Sequence, residues 1–428
     1  MGSEPAAAGT GRARRFLVTA LLFALTFGTL LGAVTLAALT APVGALAVLP
    51  GYAARVAHGH AQVFGFAALF VMGVAYHALP RLKAAPLAAP ALAATSYWLQ
   101  TGGVLAIAAG AFVAEPLGPL LHGAGAVALL CGALAFAIVV AGTLAAGPPS
   151  AEEVEPWLLA GCAWLIVASA LAVAVAAGVA ALQPAMWDAA LYGFVGSWIL
   201  GFSLRMLPAF LRLRAAPRGR LATALAYQAA VLAWVAVAAL WPTWALPAAR
   251  LLAGAALGAA VLVYVARLGI FARQLLPGER VADRFFDAAY AWLVVWVVCV
   301  PAASALASAT GAEVPPPVID FGRHAFTFGF LTQMIVGVAM RILPALAGAT
   351  VWRPSWRTAT FWLLNGTVAV RALQVVVALG GPPALWPWVA VSGVLGVAAM
   401  VAFTINLAMT LRSAGSTPAA VPGRPVRA

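Results

Sequence analysis

The chain has 428 residues, 64% of them hydrophobic and 8% charged, with a mean hydropathy of +1.02; that is too little polar surface to cover a water-soluble globule. It reads as an integral membrane protein. The formal charge of +13 does not point to nucleic acid, because the arginines sit between apolar runs, the pattern of topology signals near anionic headgroups.

The first apolar run, Phe16 to Leu39, is too long for a signal-peptide core and lacks a processing site, so it is the first expected span. Residues 1–13 ahead of it are expected to be a disordered cytoplasmic N-terminus. Eleven further spans are expected at about 56–80, 91–114, 118–144, 156–181, 185–210, 220–241, 246–270, 284–308, 320–345, 358–380 and 385–411. Each can cross roughly 30 Å of hydrocarbon at 1.5 Å per residue. Gly147-Pro148-Pro149, Pro315-Pro316-Pro317 and Gly380-Gly381-Pro382-Pro383 punctuate the gaps. Residues 412–428 form the expected disordered tail. If the spans alternate, Arg12, Arg14, Arg15, Arg81, Lys83, Arg212, Arg214, Arg218, Arg220, Arg353, Arg357 and Arg412 all fall on one side. That side is therefore cytoplasmic and holds both termini. Glu152, Glu153 and Glu155 are the exception, and acidic residues weigh little in this rule.

Cys131, Cys162 and Cys299 fall singly in separate apolar runs. They indicate no disulfide framework or thiolate metal site and read as small core residues.

Spans 2, 6 and 10 share a 21-residue stretch, beginning at His60, Asp188 and His324. Six positions are identical in all three copies (Ala, Gly, Phe, Gly, Leu, Pro) and ten between the first and third, well above the roughly two per pair that an Ala- and Gly-rich composition gives by chance. The membrane domain, 14–411, is thus expected to be three four-helix units, at about 14–146, 150–272 and 282–411, around a pseudo-threefold axis. Numbered within the stretch, position 1 (His60, Asp188, His324) lies near the outer end and the shared proline near the inner end.

The five histidines are His58, His60, His77, His122 and His324. Intramembrane ionisable groups are costly, so such a cluster reads as functional. His60 and His324, equivalent in the repeat and equal in depth, suit the two axial ligands of a low-spin haem; the alternative is that each satisfies a helix–helix hydrogen bond. Arg323, beside His324, could hold a propionate. Asp188 would be a poor haem ligand and is expected to be a polar remnant or a hydrogen-bond acceptor behind the ligands. His58, about 200° around the helix from His60, turns the other way, where His122 offers a partner for a second haem or a metal. His77, aligned with Arg205 and Arg341, is expected to snorkel to the inner headgroups. Gln62, Tyr76, Tyr192, Gln333 and Met334 either line a cavity or pack.

The run His58-Gly59-His60-Ala61-Gln62-Val63-Phe64-Gly65-Phe66-Ala67 resembles the HxHxxxFGFA signature on helix 2 of the NnrS family of membrane haem proteins. Leu204-Arg205-Met206-Leu207-Pro208-Ala209-Phe210, and His324-Ala325 with Gly329, Met334 and Arg341, resemble its helix 6 and helix 10. The plan as a whole is similar to haem-copper oxidase subunit I and its nitric oxide reductase relatives. Two departures stand out. Gly322 occupies the place of the oxidases' active-site haem ligand, and no histidine lies on helices 6 and 7, where copper or non-haem iron is held. Ala347-Gly348-Ala349-Thr350 stands where the family tends to carry a Gly-His-Thr-Gly segment, which bears on any copper site there.

The resemblance implies a b-type haem protein of a bacterial-type cytoplasmic membrane, acting in electron transfer or in nitric oxide and redox stress. Its partners would be lipids, haem, and a redox partner or other membrane subunits. The rival expectations are an oxygen or nitric oxide reductase with its metal moved to His58 and His122, and a cofactor-free transporter.

Overall fold

The computed structural model describes residues 4–40, 51–150, 153–213, 220–240, 247–273, 281–310, 314–346 and 349–414. Arg214, Arg218, Glu152, Ala347, Gly348 and residues 415–428 lie outside the described residues. The described chain contains no strand.

Among the described residues, ten helices are long and apolar enough to cross a membrane: α1 (Gly11–Thr40), α2 (Gly51–Leu82), α4 (Leu117–Ala145), α5 (Glu155–Ala176), α6 (Ala180–Leu211), α7 (Arg220–Leu240), α8 (Ala248–Ala272), α10 (Pro316–Pro344), α11 (Pro354–Ala378) and α12 (Pro383–Ser413). Two more long helices, α3 (Pro90–Gly110) and α9 (Val281–Thr310), pack among them without belonging to that set. The helix containing α1 begins at Glu4 and the one containing α12 ends at Ala414, so both reach into stretches expected to be disordered. Proline opens α3, α10 and α11, where its missing N–H costs nothing. Gly178 and Gly380 close α5 and α11 in left-handed conformation. In both, the next N–H reaches back to satisfy a last-turn carbonyl: Val179 to Ala174 at 3.0 Å and Gly381 to Val376 at 2.9 Å.

The repeat is visible in the backbone. In each of α2, α6 and α10 the helix widens to π geometry directly after position 1, at Ala61–Ala67, Ala189–Gly196 and Ala325–Thr332. A fourth π stretch, Ala24–Leu30, lies in α1.

The two shared glycines are explained by packing. A Cβ on Gly65, Gly193 or Gly329 would fall within 2.8, 2.4 and 2.6 Å of Phe23, Trp164 and Trp292. A Cβ on Gly73 or Gly201 would fall within 2.7 Å of Phe16 and Trp157, and one on Gly337 within 3.0 Å of Phe286. The same aromatic-on-glycine contact therefore joins α1 to α2, α5 to α6 and α9 to α10. In the last two pairs the indole also donates to an amide, Trp164 Nε1 to Gln228 Oε1 at 2.8 Å and Trp292 Nε1 to Asn365 Oδ1 at 2.9 Å. That amide in turn meets position 10, Ser197 and Gln333.

Of the cysteines, Cys162 is buried, Cys299 intermediate and Cys131 exposed. Cys131 is therefore not the core residue expected, since it sits on the outward face of α4.

Candidate functional site

Each imidazole near one end of α2 and α10 is held by a backbone carbonyl. His58 Nδ1 donates to Gly28 O at 2.7 Å, His60 Nδ1 to Val56 O at 2.9 Å and His324 Nδ1 to Asp320 O at 2.8 Å. A carbonyl only accepts, so Nδ1 carries the proton and, in the neutral ring, Nε2 keeps its lone pair. This is the tautomer a metal-bound histidine adopts when an outer carbonyl orients it. His60 Nε2 is buried and meets no hydrogen-bond partner.

His58 and His324 line one cavity, bounded by α1, α2, α10, α11 and α12. It encloses about 120 Å³ and opens to the outside. Arg55, Gln62, Asp320 and Arg371 share its wall with Gly32, Gly393 and Gly396. The Asp320 carboxylate receives Arg371 at 2.8 and 3.2 Å and Gln374 at 2.8 Å, while its other oxygen lies 3.4 Å from His324 Nδ1. His324 is thus oriented by a residue that is itself fixed by α11.

His60 looks elsewhere. Its ring neighbours are Trp187, Phe64 and His122, with centroids 5.0, 5.7 and 5.8 Å away. His122 meets it edge-on. The two-residue spacing did separate His58 from His60, but the faces are the reverse of those expected. His58 turns to α1 and the His324 cavity, and it is His60 that meets His122. The cause is tertiary: Gly59 lies flat on Trp187, where a Cβ would come within 2.9 Å, and Gly32 lies on the His58 ring, where one would come within 2.5 Å. These two glycines fix the rotation of α2.

Asp188 is buried in the field of Arg323 and Arg250. Arg323 thus faces Asp188, and Arg371 and Arg55 are the guanidinium groups on the His58–His324 cavity. The position 1 residues follow a rule. Each is met by a residue just ahead of another copy: His60 by Trp187, Asp188 by the charge of Arg323, and His324 by His58 across their shared cavity.

His77 is half-buried, and its Nε2 is enclosed without a partner, so it does not reach out to headgroups as expected. Gln62 lines the His58–His324 cavity and Met334 a second one. Tyr76, Tyr192 and Gln333 are engaged by Ser96, Trp296 and Asn365. The residues that sequence reading missed are Gly28, Gly32, Arg55, Trp187 and Arg371. Arg55 and Arg371, charges beside or within apolar runs, left a signal to find. Among the described residues, no group of three or more His, Cys, Asp or Glu side chains could hold a metal ion.

Many apolar helices around a cluster of oriented histidines define a multi-pass, all-helical membrane protein with a histidine-lined cavity near one end. The family model described as NnrS protein matches residues 14–414. The chain belongs to the NnrS family. No curated protein matches it.

Proposed function

We propose that this protein is a b-type haem protein of the cytoplasmic membrane, with twelve spans in three four-helix units. Its haem would lie between α2 and α10, and its role would be electron transfer or response to nitric oxide and redox stress. The observation that carries the reading is that His58 and His324 line one cavity, each with Nδ1 spent on a carbonyl and Nε2 free to ligate.

The α2 ligand is then His58 and not His60. A threefold rotation carries a residue to the next interface around the ring, so the equivalent His60 and His324 serve different interfaces; facing one another across one iron is the property of a twofold axis. Arg55 and Arg371 take the propionate role first given to Arg323. When bound, haem supplies a one-electron iron couple, and the apolar wall and the Asp320 shell tune its potential. Two strong imidazoles leave the iron no open position, which favours electron transfer or sensing over turnover.

A second reading rests on the His60–His122 contact and the unpartnered His60 Nε2. These two are the candidate ligands of a second haem or copper, and with it of reductase-like chemistry. The test is a reduced-minus-oxidised spectrum with pyridine haemochrome quantification on the purified protein. His58→Ala and His324→Ala should each abolish the low-spin b signal, and His60→Ala should leave it. Loss with His60→Ala and retention with His58→Ala restores the pairing of equivalent residues; no Soret band in the wild type favours the transporter.

A further inference from the structure

The His58–His324 cavity encloses about 120 Å³, whereas cofactor-sized sites run to roughly 300–1,000 Å³. Seating a porphyrin between the two rings therefore requires one wall to give way. Three walls are pinned. Gly59 against Trp187 fixes the rotation of α2. Asp320 joins α10 to α11 by accepting from Arg371 and Gln374, and Gln374 also donates to the Pro317 carbonyl at 2.8 Å. The remaining wall is the seam between α1 and α12.

That seam has little to hold it shut. A Cβ on Gly393 would lie 2.9 Å from the Ala33 Cα and 3.0 Å from the Ala33 Cβ, so the helices meet there without interlocking side chains. In the last ten residues of α1, Leu31–Thr40, only Thr35, Leu36 and Thr40 are buried. Both threonines spend their hydroxyls inside their own helix, on the Leu31 and Leu36 carbonyls at 2.8 and 2.9 Å. Across the seam, Trp386 Nε1 donates to the Leu39 carbonyl at 3.3 Å. A segment with so little buried apolar surface belongs to the low-stability end of a fold. It begins directly after the π stretch Ala24–Leu30, and π turns are among the few places where helices kink. Leu39 and Arg55, the exposed residues of the cavity wall, mark its mouth.

We propose that Leu31–Thr40 is a gate, which swings on the π stretch and parts from α12 at Gly393 so that a flat macrocycle bearing carboxylates enters edge-on. Arg55, at the mouth, leads the carboxylates in. The gate rests on the haem reading given above, and it closes the wall that the other helices cannot move.

The test is haemin uptake by apoprotein of the full chain in detergent, followed by the Soret band. In Ala33→Cys/Gly393→Cys the two Cβ atoms stand close to the about 3.5–4.5 Å that a disulfide spans, and peptide mass confirms the bond. The disulfide form should lose haemin uptake, while the same protein reduced, or joined by a long flexible bis-thiol linker, should retain it. Haemin bound beforehand should suppress the disulfide. Trp386→Phe leaves the seam itself intact and tests the same motion: uptake should quicken about two- to tenfold, the worth of one hydrogen bond, with the final spectrum unchanged. Equal uptake by the disulfide and reduced forms overturns the gate and leaves the haem reading standing, and so does a Trp386→Phe rate no faster than wild type. No uptake by the wild type overturns the haem reading itself, and the gate with it.

Discussion

Gly28 and Gly32 hold the His58 imidazole from two sides: the Gly28 carbonyl takes its Nδ1 proton, and the bare Cα of Gly32 leaves room for the ring. Gly32→Val would put its side chain where Cε1 and Nδ1 now lie, 2.5 and 2.6 Å from the new Cβ. The ring must swing away, and the carbonyl contact breaks with it. Loss of a partner that orients a ligand typically costs 10- to 100-fold in metal affinity or activity, so haem retained per chain should fall by about that range. Gly102→Ala, which meets nothing within 4 Å, should change nothing, and pyridine haemochrome quantification compares the two. The five histidines were legible in the sequence, as was the divergence of His58 from His60. Which of the two faces α10 was not. Periodicity sets the angle between residues of one helix, whereas the angle of that helix to its neighbours is settled where Gly59 meets Trp187 and Gly32 meets His58.

At the scale of the element, apolar run length identified the helices, and identical columns identified α2, α6 and α10 as copies. The π stretches stayed hidden. One extra residue in a turn changes neither composition nor mean hydropathy, and sites of this kind are enriched at functional positions. The aromatic partners of the shared glycines were hidden too, because they lie one helix earlier in the chain. Gly329 carries the clearest consequence. A valine there would displace Trp292, whose indole donates to Asn365, which also takes a hydrogen bond from Gln333. Overpacking costs about 1–3 kcal/mol, and the lost Trp292–Asn365 hydrogen bond adds about 0.5–1.5 kcal/mol. Gly329→Val should therefore lower the thermal unfolding temperature in detergent well below that of Gly123→Ala, whose surroundings are empty within 4 Å. Equal melting of the two would mean that the indole contact is idle.

At the scale of the whole molecule, the acidic exceptions to the charge pattern have structural work that one-dimensional charge counting does not see. Glu153 accepts the N–H of Leu221 at 2.7 Å, at the start of α7, where the helix dipole favours a carboxylate. Glu155 pairs with Lys83 at 2.9 Å and takes the backbone N–H of Ser150 at 2.7 Å. Lys83, only 2% exposed, also donates to the Pro148 carbonyl and so ties the end of α2 to the start of α5. The end of α2 is thereby locked to the start of α5 through one ion pair whose lysine is buried. Removing one partner of such a pair leaves an uncompensated charge and costs about 3–5 kcal/mol, whereas replacing both by apolar groups is often close to neutral. Glu155→Leu alone should lower thermal stability in detergent sharply, and adding Lys83→Met should recover most of the loss. A double variant no more stable than the single one would mean that the two side chains act independently, and that the α2–α5 junction is held by helix packing alone.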